Sequence, residues 1–190
     1  MRVLVIAESS DRAEILSAGV QLGGHELTEV VPLDSALSPA FERGKPDVLL
    51  LEARSPSVDL LDRLLDAMGP AALPFAVFAA DASSQAIENG VRAGAAAYVV
   101  DGLEAARVPA ILQVALARFV FISGLRTELG QAQQKLAERK FVERAKGLLM
   151  KARNLSEDEA YHTLRRMAME RNRRMGDVAK SVIEMAELLN

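Results

Sequence analysis

Nine positions near the C-terminus carry groups that a polyanion would meet. Arg144, Lys146, Lys151, Arg165, Arg166, Arg173 and Arg174 supply cations, Tyr161 supplies an aromatic face, and Gly147 leaves room for another backbone to approach. Arginine dominates, and its planar fork can bond a phosphate through two N–H groups and stack on an exposed base, which a lysine ammonium cannot do. Tyr161 precedes Arg165 by one helical turn, the spacing of a stacking partner for an unpaired base. From Lys140 onward, eleven Lys and Arg stand against eight Asp and Glu, whereas residues 1–139 hold twelve against eighteen. Polarity therefore reverses within a chain of formal charge −3, and the tail is expected to meet a polyanion while the front has another task. The blander alternatives are an ordinary solvated helix face for the cations and a core position for Tyr161.

The remaining chemistry is sparse. No cysteine is present, so disulfides, thiolate metal sites and cysteine nucleophiles are all excluded. His25 and His162 are isolated in sequence, and no base–nucleophile pair or phosphate-cradling glycine loop accompanies them. No enzyme activity, cofactor or metal is expected. At 190 residues, half of them apolar, the chain can hold one domain of roughly 120 residues and a smaller one. The N-terminal MRVLVIAESS is strand-like without a leader's cleavage site, and no apolar stretch is expected to reach the roughly 18–20 residues of a bilayer span. A soluble cytoplasmic protein without membrane contact is the expectation.

Three regions position these groups. Residues 1–120 alternate short β-branched runs with helical patterns: strands at Val3–Ile6, His25–Val31, Val48–Leu51, Phe75–Ala79 and Ala97–Val100. Helices are expected over Asp11–Leu22, Ser35–Arg43, Val58–Met68 and Ser84–Ala93, with another from Pro109, a residue suited to a first turn. Five βα units predict an α/β fold, a doubly wound five-stranded parallel sheet whose strand ends converge on one crevice. Ala7, Glu8, Glu52, Ala79 and Asp101 fall at those ends, and the three carboxylates are expected to be partly solvated, with no ion between them. Residues 121–139 repeat Ile122, Leu125, Leu129, Ala132 and Leu136 at alternating steps of three and four, a heptad seam that predicts a coiled-coil connector and a homodimer. Residues 140–190 predict three helices. The first ends near Arg153 with Asn154 beyond it, and Ser156–Glu159 forms a capping box. The second buries Ala160, Leu164, Met167 and Ala168; the third buries Val178, Val182, Ile183, Ala186 and Leu189.

The front region, with Lys45–Glu52 (KPDVLLLE) and Gly94–Tyr98 (GAAAY) as landmarks, resembles the receiver domain of two-component response regulators. The resemblance implies a phosphoacceptor site, and this sequence lacks its parts. The nucleophile position holds Glu52, a methylene longer than aspartate, and the acidic pair is Ala7-Glu8. The hydroxyl position is Ala79, and the lysine position is Asp101, which repels an incoming phosphate. The expectation is a pseudo-receiver that is not switched by phosphorylation.

The tail carries Phe141–Met150 (FVERAKGLLM), Leu155–Tyr161 (LSEDEAY), Leu164-Arg165, Ala168, Asn172–Arg174 and Asp177–Ala179. These residues resemble the ANTAR domain, an RNA-binding transcription antitermination module usually placed behind a receiver-like domain. Glu52–Ser57, Gly94–Gly102 and Ala117–Phe119 further resemble the NasT-type regulators of nitrate and nitrite assimilation. The resemblance implies a leader mRNA with two hairpins as target and a dimer that places one tail on each. It also implies a separate nitrate/nitrite-sensing protein as inhibitor. A DNA-binding regulator remains the alternative, as does a protein-interaction module with a basic face. Against the former, Asp177, Glu184 and Glu187 make the third helix a poor phosphate neighbour.

Overall fold

A computed structural model describes residues 1–69 and 72–188. They fall into two compact units, Met1–Ser123 and Gly124–Asn190. In the first, β1 (Arg2–Ala7), β2 (Glu26–Pro32), β3 (Val48–Glu52), β4 (Phe75–Ala79) and β5 (Ala97–Val100) alternate with α1 (Ser10–Leu22), α2 (Ser38–Gly44), α3 (Val58–Met68) and α4 (Ser84–Arg92). All pairings are parallel, in the order β2-β1-β3-β4-β5. The order reverses between β1 and β3, so the crevice at a doubly wound sheet's switch point opens beside Glu8 and Glu52.

Strand alternation builds two cores. Leu4, Ile6, Leu49, Leu51, Phe75 and Val77 face α2 and α3, while Val3, Val5, Val48, Leu50, Ala76 and Phe78 face α1 and the start of α5. Both faces are covered, which is why the central strands read as unbroken apolar runs. Gly19 permits the closest of these contacts: a Cβ there would stand 2.5 Å from Val108 Cβ. Ser57 and Ser83 cap α3 and α4 by accepting from Leu60 N and Ala86 N.

After a short 3-10 turn at Ala105–Arg107, α5 runs unbroken from Val108 to Arg153, 46 residues. It corrects one expectation. The helix does contain a stretch long and apolar enough, by length and composition, to cross a membrane. The eye misses it because Gln113 and Arg118 interrupt the apolar run. Val108, Leu112 and Ala115 are fully buried against the sheet's second core, although only 17% of the apolar window is buried. Val114, Val120, Phe121 and Ile122 are exposed.

In the second unit, α5 is followed by α6 (Glu157–Glu170) and α7 (Met175–Leu188). Val142, Ala145, Leu149, Ala160, Leu164, Ala168, Val178, Ala179 and Ile183 form its core. Met167, Val182 and Ala186 are only half-buried, and the buried Ala179 was not anticipated. Leu189 lies outside the described residues. The capping box is present: Ser156 Oγ accepts from Glu159 N while the Glu159 carboxylate accepts from Ser156 N. Asn154 and Asn172 adopt left-handed φ values of 51° and 48°, tolerable for asparagine just past a helix end.

Candidate functional site

The strand-end crevice differs from the expectation at its central residue. Glu52 is not partly solvated; it is 1% exposed. Its Oε1 lies 2.6 Å from Arg12 Nε, an ion pair whose angle falls short of a hydrogen bond. Its Oε2 accepts from Glu8 N at 3.0 Å and Ser9 N at 3.3 Å. A buried carboxylate needs such partners, because an uncompensated charge in a low-dielectric interior is costly. Arg12, in the first turn of α1, supplies the compensating charge. Sequence reasoning missed it, although a lone arginine at the helix start beside an acidic strand end was a usable signal.

The other expected members are scattered. Glu8 is exposed, and its Oε2 accepts from Arg54 N at 2.6 Å. Ala7 and Ala79 are buried and offer no polar atom beyond the backbone. Asp101 is exposed in a left-handed turn with φ 46°. A hollow of about 440 Å³ beside the crevice is lined in part by Glu8, Asp34, Asp59 and Arg63. Nearby, hydrogen bonds from Ser55 and Ser83 hold the Asp81 carboxyl below its ordinary value.

The C-terminal unit treats its charges in the opposite way. Arg165 and Arg166 are exposed late on α6, and Arg173 and Arg174 are exposed in the corner before α7. That corner is fixed by backbone bonds: Asn172 N donates to Met169 O and Arg173 N to Ala168 O, with Asn172 in the left-handed conformation. This pattern satisfies the last carbonyls of α6 and turns the chain sharply. Arg165, Asn172, Arg173 and Arg174, with Ala168, Met169 and Met175, line a surface hollow of about 420 Å³ that contains no carboxylate. Among the described residues, none of these guanidinium groups makes an ion pair. Such a corner can accept phosphates without first losing a partner.

Not every expected cation is free. Lys146 is only 8% exposed, with Nζ 2.7 Å from Glu157 Oε1 and 2.9 Å from Glu143 Oε2. Lys146, expected among the RNA-binding cations, is thus held by two carboxylates of its own chain. Lys146 sits on the α5 face that packs toward α6, so its charge ties the two helices together. Hydrogen bonding to Glu157, then to Glu143, raises the Lys146 pKa, and Lys146 in turn lowers that of Glu157. Arg144 pairs with Glu187 at 2.6 Å on the surface, a contact of the weak, exchangeable kind. Lys151 is exposed and unpaired among the described residues. Gly147 is half-buried, and a Cβ there would meet nothing within 4 Å. Among the described residues, no neighbouring group therefore requires glycine at that position.

Tyr161 is 38% exposed, so its ring is not a core aromatic; among the described residues its aromatic neighbour is His162, edge-on at 6.1 Å. Leu125, Leu129 and Leu136 are about half exposed, and Ile122 and Ala132 are also exposed. The seam is thus an apolar stripe without an intramolecular cover.

Comparison with known proteins agrees with both units. Residues 130–183 match the ANTAR domain family. The transcriptional regulatory protein PdtaR of Mycobacterium tuberculosis is 32% identical over 143 residues, covering 75% of this chain and 70% of that protein. A nitrate regulatory protein of Klebsiella oxytoca is 36% identical over 61 residues, 32% of this chain and 15% of its own length. The chemotaxis protein CheY4 of Vibrio cholerae superposes with a TM-score of 0.50 at 18% identity, over 59% of this chain and 95% of CheY4, a likeness of fold alone. With a receiver-like sheet in front and an ANTAR domain behind, the chain belongs to the family of ANTAR-domain, response-regulator-like transcription regulators.

Proposed function

We propose that this protein is a transcription antiterminator whose C-terminal unit binds a leader mRNA carrying two hairpins and so keeps a downstream terminator from forming. The observation that carries this reading is the α6–α7 corner, where Arg165, Arg173 and Arg174 line a hollow without carboxylates and have no ion-pair partner among the described residues. Arg166, Lys151 and Arg144 extend the basic surface, and Tyr161 offers an aromatic face. Lys146 acts by position, joining α5 to α6. Side chains cannot enter the narrow major groove of an A-form helix, so sequence is read in splayed loop nucleotides.

The remaining assignments belong to the same proposal. Residues 1–120 act as a pseudo-receiver, 121–139 as a coiled-coil connector and 140–190 as the RNA-binding domain. Two chains pair along Ile122, Leu125, Leu129, Ala132 and Leu136, presenting one tail to each hairpin, so that two weak engagements add through linkage. Control comes from a nitrate/nitrite-sensing inhibitor protein and not from phosphorylation, in keeping with a Glu52 already occupied by Arg12. The likeness to a nitrate regulatory protein supports that ligand class.

Competition binding at low salt, with a two-hairpin leader RNA against duplex DNA of equal length, tests the reading. Preference for the RNA, and read-through in a termination assay that Arg165→Ala weakens, are the expected results. Equal or stronger DNA affinity would support the DNA-binding alternative. Indifference to both nucleic acids would leave a protein-interaction module.

A further inference from the structure

We propose that a second hollow of the C-terminal unit is the seat for one unpaired nucleotide, its base against Tyr161 and its phosphate between Lys135 and Arg139. This inference rests on the RNA-binding reading above. The hollow measures about 360 Å³ and is lined by Lys135, Glu138, Arg139, Val142, Glu143, Tyr161, Met175 and Gly176. That volume is at the small end of ligand clefts, roughly 300–1,000 Å³, and suits a single base with its sugar-phosphate.

Its chemistry is divided as a nucleotide's is. The buried Val142 and half-buried Met175 make an apolar base, and the partly exposed Tyr161 ring makes one side. Lys135 and Arg139 stand one turn apart on α5, both exposed and neither in an ion pair among the described residues. Two carboxylates also line the hollow, but Glu143 is engaged by Lys146 at 2.9 Å. Glu138 accepts from Gln134 Nε2 at 3.3 Å. The lining charges balance, while Lys135 and Arg139 keep no ion-pair partner among the described residues. A Cβ on Gly176 would lie 2.8 Å from Glu138 Cγ, so the first turn of α7 is pressed against the Glu138 stem and forms a backbone wall. An acidic peptide would use the cations but would leave the aromatic side and the apolar base unfilled, and this favours a nucleotide.

Placement adds a second argument. Met175 lines this hollow and also the arginine-rim hollow at the α6–α7 corner. A chain of unpaired nucleotides can therefore lay phosphates on Arg165, Arg173 and Arg174 and tuck the adjoining base beside Tyr161. On α5, at about 100° per residue, Lys135 lies roughly a quarter turn from the centre of the Leu125–Leu136 stripe, and Arg139 lies roughly an eighth of a turn from it. Lys135 therefore stands clear of a pairing along that stripe, and Arg139 borders it.

The test uses the full chain and a fluorescent RNA of two short hairpins, together with versions in which one loop nucleotide at a time lacks its base. Tyr161→Ala should weaken binding about tenfold, the size of one lost base–aromatic stack, and Tyr161→Phe should restore it. One abasic position should cost the wild type the same factor and cost Tyr161→Ala nothing further. Because that arm alters the RNA, it reads the contact even where a protein variant is less stable. Arg139→Ala and Lys135→Ala together should reduce the salt dependence of binding by about one phosphate. Wild-type binding that survives Tyr161→Ala unchanged, or abasic losses that add in full to that variant at every position, would overturn the nucleotide seat and leave RNA binding standing. Failure of the wild type to bind the probe would remove both readings. Displacement of the RNA by a polyglutamate peptide, with loss of peptide binding in Arg139→Ala but not in Tyr161→Ala, would reassign the hollow to an acidic protein segment.

Discussion

The strand-end crevice and the α6–α7 corner are both clusters of charge, yet one is closed on itself and the other is open. At the crevice, Glu52 is buried and its oxygens are taken by Arg12, Glu8 N and Ser9 N. At the corner, Arg165, Arg173 and Arg174 face solvent with no carboxylate in the hollow they line. A charged group already satisfied within the chain contributes to stability; one left unsatisfied at the surface is available to a ligand. Exposure and partnering therefore separate the two roles better than residue type does. Lys146 makes the same point within the second unit, where a cation in the expected RNA set proves to be held by Glu143 and Glu157.

The comparison can be broken most directly at the corner. Replacing Arg165, Arg173 and Arg174 together by Ala should lower affinity for a two-hairpin RNA about a hundredfold or more and reduce the slope of log K against log salt by about two, read by anisotropy across a salt series. The melting midpoint should hardly move. Arg12→Met should show the converse pattern. It strips a buried carboxylate of its counter-charge, so urea unfolding should report a loss of about 2–3 kcal/mol while RNA affinity stays the same. A stable Arg12→Met variant would show that the crevice is solvated after all.

Gly147→Ala sharpens the contrast on one helix. With open space around the added methyl, the helix should gain up to about 1 kcal/mol. A simultaneous fall in RNA affinity would mark this as a place where the ligand backbone comes close, and unchanged affinity would remove Gly147 from the interface. Lys146→Ala should lower the melting midpoint yet change RNA affinity by less than about threefold (under conditions where it is folded), as expected of a residue whose charge is neutralised internally.

The pH dependence has a definite sign. Lys146 depresses the Glu157 pKa, and the Ser156 backbone bond depresses that of Glu159. Both contribute stability above the unfolded glutamate value and lose it as pH falls through the folded one. Lys146 is shifted upward, so its contribution is full below the unfolded lysine value and fades only as strong alkali passes the folded one. Thermal melts of the C-terminal unit should be flat through neutrality and decline in acid, with Glu157→Gln blunting that decline. The smallest expected effect is none at all: an acyl-phosphate donor with magnesium should put no phosphate on Glu52.

Local pattern carried most of the architecture. The ranges expected for Val58–Met68, Phe75–Ala79 and Ala97–Val100 coincide with α3, β4 and β5, because apolar periodicity and flanking turn residues fix such elements from within. The Ser156 capping box and the left-handed Asn154 were readable for the same reason. What escaped notice was contact between residues far apart in sequence. Arg12 reaches Glu52 across forty positions, and Glu157 reaches Lys146 from the next helix; residue types hint at such pairings, but local periodicity does not register them. The apolar length of α5 was missed for another reason, since Gln113 and Arg118 disguise it.

Helix α6 begins with Glu157, Asp158 and Glu159 and carries Arg165 and Arg166 in its second half. The acids suit the positive end of the helix dipole, but they also confer a compass on the surface. A run of phosphates drawn to one pole is turned away from the other, so the helix confines a polyanion to its C-terminal half.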